Sequence, residues 1–367
     1  MNFPFYEVPK RTKSKHKIIC FRMFMNLENR KVIVRREFIK ACISMSILRK
    51  RGKERIRFRI MNNRVTNRDF KYLKRLFIKC LIENQDIAEQ LNENYKLIQV
   101  YFFYESTDPN VEDSLRNILD DSAISHSKEP IPSFAQSRKN VGCIMVFLKH
   151  LNEFTQKRED ITDIERYHKS GIFEELCHLV EQKGDSSIHP SSYGTLWRLY
   201  FGRNLLHYGN EIIARLDTDR NHFEVYSMMI KAYPNEWTER YWRYFMEVTP
   251  DTYKQKYEQW KPNTPINIVY ARLITDTLRS MNVLYVAEKV PREKLSDKNK
   301  ELLDILIETG KLDIEKKKSL IEKDMGFAAL SLIDSIDESI FKTPDVFFSI
   351  VLDLWKTLHL WQNKRTN

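Results

Sequence analysis

Hydrophobic and polar residues alternate strictly in one stretch near the start of the chain, from residue 55 to residue 60. Three basic residues take turns there with three apolar ones: Arg55, Arg57 and Arg59 with Ile56, Phe58 and Ile60. Because successive side chains of a β-strand point to opposite faces, the pattern predicts a strand with a basic face and a core face. Short β-branched or aromatic runs at 17–25, 31–36 and 95–104 also favour strands.

Helical periodicity separates these strands. Apolar residues recur every three or four positions from about Thr66 to Asn92, and Asp69 follows Thr66 at the spacing of a capping box. A shorter helix is predicted from about Glu37 to Lys50. Together with the strands, these helices predict a small basic α+β domain over residues 1–105.

The helical period continues through the rest of the chain, and proline or glycine marks most of the gaps. We predict helices at about 141–156, 160–183, 192–216, 220–232, 236–247, 250–260, 265–289, 294–309, 311–335 and 343–362. Residues 106–140, rich in proline, serine and acids, predict a linker or long loop. The expected fold is mainly α, with a large all-α domain over 141–367.

Composition narrows the class of protein. With 42% apolar and only nine glycine residues, the chain is typical of a globular, helix-rich protein. Its five cysteines are far apart and form no C-x-x-C pair, so neither a disulfide framework nor a thiolate zinc site is expected. No secretory signal is visible, and the longest apolar run, at 143–148, is far too short to span a bilayer. We expect a soluble intracellular protein with no membrane partner, without distinguishing cytoplasm from nucleus.

Positive charge is concentrated at the front of the chain. Residues 1–80 contain 24 Lys and Arg against five acids, a net charge of +19, whereas the whole chain carries +11. Such asymmetry indicates a polyanionic partner, for which nucleic acid is the favoured choice and RNA is preferred to DNA. An anionic membrane, an acidic protein and a merely solvated surface are the alternatives. The candidate phosphate-binding residues are Lys13, Lys15, Lys17, Arg49, Lys50, Arg51, Lys53, Arg55, Arg57, Arg59, Lys71 and Arg75.

Metal and cofactor motifs are weak. The chain contains no Walker loop, G-x-G-x-x-G, H-E-x-x-H or G-x-S-x-G sequence, and no cofactor is predicted. Glu-x-x-His occurs at Glu165–His168 and at Glu175–His178. Ten residues of helix turn the second copy about 80° away from the first, and no further carboxylates can be assigned, so no metal site is predicted.

One segment suggests an enzyme. In "GRNLLHYGN", at 202–210, Arg203 and His207 are four residues apart and would share a helix face. The segment resembles the R-N-x-x-x-H element of HEPN-type ribonucleases, although only Leu205 and Leu206 separate Asn204 from His207. The resemblance implies a metal-independent ribonuclease or abortive-infection effector, with Arg203 holding a phosphate and His207 moving a proton.

Aromatic residues are dense between 191 and 260, where 16 occur in 70 residues. The segment "WTERYWRYF" could stack on unpaired bases, but balanced charge in this window favours a role in the core.

The favoured function is a non-catalytic, nucleic-acid-binding protein whose helical domain packs or assembles, as in ribonucleoprotein or viral packaging proteins. A ribonuclease, and a scaffold whose basic front contacts an acidic protein, are the alternatives. A homo-oligomer or a protein partner is expected through the helical domain.

Overall fold

The structure is a computed structural model. It describes residues 49–50, 53–54, 56–61, 63–105, 133–138, 140–156, 163–182, 206–245, 255, 258–259 and 265–366. The strands predicted at 17–25 and 31–36 lie outside these ranges, as does most of the helix predicted at 37–50. The end of that helix was wrongly predicted, because Arg49–Lys50 is a strand.

The front of the described chain is a sheet. Two short strands, β1 (Arg49–Lys50) and β2 (Lys53–Glu54), pair antiparallel. Four further strands form one sheet in the order β3-β4-β6-β5: β3 (Ile56–Ile60), β4 (Leu97–Phe103), β5 (Ser133–Arg138) and β6 (Val141–Phe147). Strands β3, β4 and β6 are parallel, and β5 is antiparallel to β6. The strand with alternating arginines, β3, therefore lies at one edge.

Two helices make the crossover that a parallel β3–β4 pair requires. They are α1 (Asn67–Glu83) and α2 (Gln85–Asn94). The predicted capping box is confirmed, since the Asp69 backbone amide donates to Thr66 Oγ1 and the Thr66 amide donates to Asp69 Oδ2. The predicted single helix breaks at Asn84, whose side-chain amide donates to the Cys80 carbonyl oxygen at 2.9 Å. This bond satisfies a terminal carbonyl and closes the first helix.

Strand β6 corrects the prediction of a helix beginning at 141. It pairs with β4 on one side and β5 on the other, and its residues from Gly142 onward are all buried. A short apolar run buried on both faces cannot be told from a buried helix by its periodicity, which is why the sequence misled. The helix α3 begins only at Leu148 and ends at Gln156. The sheet thus extends into both the predicted linker and the start of the predicted all-α region.

The remainder of the described chain is helical, as predicted. The helices are α4 (Ile164–Glu181), α5 (Leu206–Ala232), α6 (Pro234–Tyr241), α7 (Ile266–Ala287), α8 (Asp297–Met325), α9 (Phe327–Asp334), α10 (Glu338–Phe341) and α11 (Pro344–Thr366), with a 3-10 turn at Arg292–Lys294. Helix α7 packs against α5, α8 and α11, while α4 packs against α1, α2, β5 and α5. One apolar core consequently connects the sheet to the helical part. No helix in the described part of the chain has the length and apolar character needed to cross a lipid bilayer.

Two predicted helix breaks are absent. Helix α5 runs without interruption through the gap predicted between 216 and 220, and α8 runs through Gly310. Gly310 is helical and lies against the Phe245 ring, so that a Cβ built there would be 2.8 Å from Phe245 Cε2. The chain breaks instead at Gly326, where φ is 87°, a backbone conformation that favours glycine.

Replacing Gly310 with alanine tests this packing. Alanine should favour the helix by about 1 kcal/mol, but the clash with the buried Phe245 ring should cost about 1 to 3 kcal/mol. We expect Gly310→Ala to lower the free energy of unfolding by about 1 kcal/mol in urea denaturation. The control is Ser319→Ala, which introduces alanine at an exposed position of the same helix. It should be neutral or stabilising, and equal stability of both variants would contradict the packing argument.

Candidate functional site

The edge strand β3 has the two faces that its sequence predicts. Ile56 is buried, Phe58 is half-buried, and Arg57 and Arg59 are exposed. The Phe58 ring packs edge-on against Phe77, with centroids 5.4 Å apart, and is stacked on Phe102 at 6.1 Å. At the end of the strand, Ile60 is 38% exposed, so the third apolar position is not part of the core.

The exposed arginines of β3 have no acidic partner among the described residues. In the β-ladder Arg57 stands beside Gln99 and Arg59 beside Tyr101. Within the described residues, no carboxylate forms an ion pair with either guanidinium. The exposed face of β3 therefore presents two free positive charges, spaced by two residues of strand, about 6.6 Å.

Helix α1 carries further basic residues on the other side of β3, the side on which Phe58 packs. The Lys74 ammonium lies 5.2 Å from the centroid of Phe58 and 5.8 Å from that of Phe70, on the helix side of the strand edge. Lys71 and Arg68 are exposed and precede Lys74 at intervals of three residues, so the three are neighbours on the helix surface. We define the basic strip as these five residues: Arg57, Arg59, Arg68, Lys71 and Lys74.

Arg75, predicted to contact phosphate, has an internal partner. Its guanidinium is 2.9 Å from Glu165 Oε2, and the Lys79 ammonium is 2.6 Å from Glu165 Oε1. The hydrogen bond from Lys79, followed by the charges of both bases, lowers the pKa of Glu165. These ion pairs join α1 to α4, so Arg75 is already neutralised in part.

The other predicted phosphate contacts are less fully described. Arg49, Lys50 and Lys53 lie in β1 and β2, immediately before β3, and only their backbone is described. The remaining predicted residues are outside the described ranges: Lys13, Lys15, Lys17, Arg51 and Arg55. Of the predicted residues, Arg57, Arg59 and Lys71 are exposed and belong to the basic strip, whereas Arg68 and Lys74 were not predicted.

Four aromatic side chains of β4 and β6 are not available for stacking on bases. Tyr101 is 2% exposed, and Phe102, Phe103 and Phe147 are fully buried. In the aromatic segment of the helical part, Trp237 and Phe245 are also buried, which supports the core interpretation for both. Stacking of bases on these four sheet rings is thereby excluded.

In neither Glu-x-x-His pair do the glutamate and the histidine contact the same group of side chains. Glu165 binds Arg75 and Lys79, while His168 is buried with its Nδ1 3.1 Å from the Tyr72 hydroxyl. Burial lowers the pKa of His168 to about 4.

The second pair is divided in the same way. Glu175 is buried and accepts a hydrogen bond from Ser133 Oγ at 2.8 Å, and burial raises the pKa of its carboxyl to about 8. His178 instead points toward a different group of side chains.

A cluster that the motifs did not indicate forms where α4 meets α5. One donor atom from each of Glu174, His178 and His222 lies within 4.8 Å of the others. The two imidazole rings are nearly perpendicular, with centroids 4.8 Å apart. Burial lowers the pKa of His178 to about 4, and burial, with the nearby His178 and Arg279, lowers the pKa of His222 well below its usual range. Both rings are therefore neutral at physiological pH, with lone pairs free to accept.

Surrounding side chains orient this cluster. Arg240 donates to Glu174 Oε2, while the Tyr241 hydroxyl is 3.4 Å from Glu174 Oε1. His222 stacks on Tyr226 and forms a hydrogen bond with the backbone of Thr218. The spacing of Glu174 and His178 was readable from the sequence as an i, i+4 pair, but the approach of His222 depends on the packing of α5 against α4.

The ribonuclease hypothesis stays a prediction. Arg203 is outside the described residues, and His207 lies in the first turn of α5 with only its backbone described. Comparison with protein-family models, with curated proteins and with solved structures finds no match to this chain. The candidate sites therefore stand on their own geometry.

The buried carboxyl of Glu175 generates a pH-dependent prediction. Because its pKa is raised from 4.5 to about 8, the folded state holds a proton that the unfolded state releases, so stability falls as pH rises through this interval. Glu175→Gln keeps a neutral partner for Ser133 and should remove this dependence. From about pH 5 to about pH 8, the wild type should lose on the order of 3 kcal/mol relative to the variant.

Chemical denaturation at a series of pH values measures this difference. Glu315→Gln, at an exposed position of α8, removes the same charge from the surface and serves as the control. If the stabilities of wild type and Glu175→Gln stay parallel across this range, Glu175 is not a buried neutral acid.

Proposed function

We propose that this chain binds nucleic acid through the basic strip, using phosphate contacts, with RNA the favoured ligand. The observation that carries the proposal is the exposed, unpaired arginine pair of β3. Arg57 and Arg59 stand on a rigid, hydrogen-bonded strand, and no described carboxylate offsets them. Charges held on a strand in this way keep their spacing, which suits the repeating charge of a nucleic acid backbone.

A purely structural role explains these residues less well. Where basic residues of α1 serve the fold, the structure gives them an acid, as it gives Glu165 to Arg75 and Lys79. Arg57, Arg59 and Lys71 have no such acid among the described residues. Unpaired like charges on one part of a protein repel one another, and a bound polyanion would relieve that repulsion.

The burial of aromatic rings in the sheet bears on the expected mode of binding. With the rings of Tyr101, Phe102, Phe103 and Phe147 buried, affinity is expected mainly from phosphate contacts, so dependence on base sequence should be weak. The preference for RNA, and the role of the helical part in packing or assembly, stay predictions that binding and association measurements can decide.

A salt series tests phosphate binding directly. If the basic strip neutralises about five phosphates, log affinity should fall against log salt with a slope of about −3.5 for single strands and about −4.5 for duplexes. Single-stranded RNA, duplex RNA and duplex DNA of equal length would be compared by fluorescence anisotropy. A slope near zero, or no binding at low salt, would refute the proposal.

Substituting both arginines localises the contact. Arg57→Gln with Arg59→Gln should weaken binding to all sequences alike and reduce the single-strand slope by about 1.4, at about 0.7 for each lost phosphate contact. The matched control is Lys316→Gln with Lys323→Gln, which removes two charges from exposed positions of α8. If both double variants lose affinity equally, binding depends on net charge and not on the basic strip.

Changing the opposite face of β3 should have the reverse effect. Phe58→Ala removes a ring that packs on Phe77 and Phe102, and we expect a loss of about 2 to 4 kcal/mol in the free energy of unfolding. In conditions where the variant stays folded, its salt slope should equal that of the wild type. A changed slope with unchanged stability would mean that Phe58 itself contacts the ligand.

A further inference from the structure

We propose that Glu174, His178 and His222 bind one divalent transition-metal ion, and that zinc suits this ligand set best. The three residues come from two helices packed against each other, and their donor atoms already lie within 4.8 Å of one another. Two imidazole nitrogens and one carboxylate oxygen are the donor set of many zinc sites that keep a fourth position open.

The backbone supplies two of the ligands in a fixed relation. Glu174 and His178 are separated by four residues of α4, so their side chains are neighbours on one face of the helix. His222 approaches that face from α5, and its ring is nearly perpendicular to that of His178. Tetrahedral zinc with ligands at about 2.0 to 2.1 Å needs donor atoms about 3.4 Å apart. Small side-chain rotations would bring the three donors to that distance.

Outer contacts are arranged as around a metal centre. A metal-binding histidine commonly donates its second ring nitrogen to a backbone carbonyl, and His222 has a backbone partner of this kind in Thr218. Arg240 holds Oε2 of Glu174, which leaves Oε1 with only the distant Tyr241 hydroxyl. No hydrogen bond to a ring nitrogen of His178 is found among the described residues. Its ring lies in the interface between α4 and α5.

The guanidiniums of Arg240 and Arg279 are each held by a carboxylate, Arg240 by Glu174 and Arg279 by Asp219. The ligand chemistry also narrows the choice of ion. Imidazole favours zinc, copper, iron and nickel, whereas magnesium and calcium prefer sites made of oxygen ligands alone.

The test uses the purified chain, stripped of metal with a chelator and titrated with Zn²⁺ in competition with a chromophoric indicator. We expect one zinc ion per chain. His178→Gln and His222→Gln should each weaken zinc binding by about 100-fold or more, since each removes a ligand. The matched control is His168→Gln, which changes another buried histidine of α4, the one bonded to Tyr72, and should keep wild-type affinity.

Several results would overturn the site. They are failure of the folded wild type to bind zinc, unchanged affinity in both ligand variants, and equal loss in His168→Gln. If a ligand variant does not fold, as judged by circular dichroism, the visible absorption spectrum of Co²⁺ bound to the wild type tests the site instead. An intense visible spectrum of a four- or five-coordinate site without a thiolate band supports the proposal, and the weak spectrum of the hydrated ion refutes it. These measurements need no nucleic acid, so their outcome is independent of the function proposed above.

Discussion

The burial of helix α7 on nearly all sides is the constraint around which the helical part is organised. Most of its residues between Ile266 and Ala287 are buried, including several polar ones. Polar groups removed from water must find hydrogen bonds inside the protein. Thr275 and Thr277 meet this requirement within the helix, by donating to the carbonyl oxygens of Ala271 and Leu273. Neighbouring helices supply partners for two more, since Asn282 donates to the Asp219 carbonyl oxygen of α5 and Ser280 donates to Asp313 of α8.

Ser280 shows how this requirement fixes the packing of α8 on α7. Its hydroxyl donates to Asp313 Oδ2 at 2.9 Å and accepts from the Lys317 ammonium at 2.8 Å, while Lys317 and Asp313 form an ion pair at 2.7 Å. The serine is 1% exposed, so no substrate could reach this group, and its role is structural. A buried ion pair adds little net stability, but breaking one leaves an unpaired charge at a cost of about 3 to 5 kcal/mol. The network thereby favours one alignment of the two helices.

Local sequence signals predicted those features that depend on nearby residues. The alternation of β3, the capping box at Thr66 and the bounds of α7 follow from periodicity and capping chemistry. Features set by distant contacts were not predictable in this way. Strand β6 looks like a helix until its two neighbouring strands are known, and Gly310 looks like a break until the Phe245 ring is placed against it.

The two candidate sites differ in the same way: one was predictable from local sequence and the other depends on helix packing. The arginines of β3 could be assigned from the sequence, because a strand determines which side chains share a face. The cluster of Glu174, His178 and His222 could not, since His222 is 44 residues beyond His178 and reaches it only through helix packing. Sequence motifs drew attention to Glu175, which the fold buries against Ser133. Glu174 and Glu175 are adjacent in α4, yet the first is a candidate metal ligand and the second is a buried core acid.

The position of β3 also bears on self-association. In the described sheet this strand has a neighbour on one side only, so its outer backbone groups could template pairing with a strand of another molecule. Like charges meeting across such a contact are repulsive, and Arg57 and Arg59 therefore discourage two copies from joining edge to edge. A polyanion that neutralised both arginines would remove this protection. Occupancy of the basic strip and the tendency of chains to aggregate through β3 are thus physically coupled.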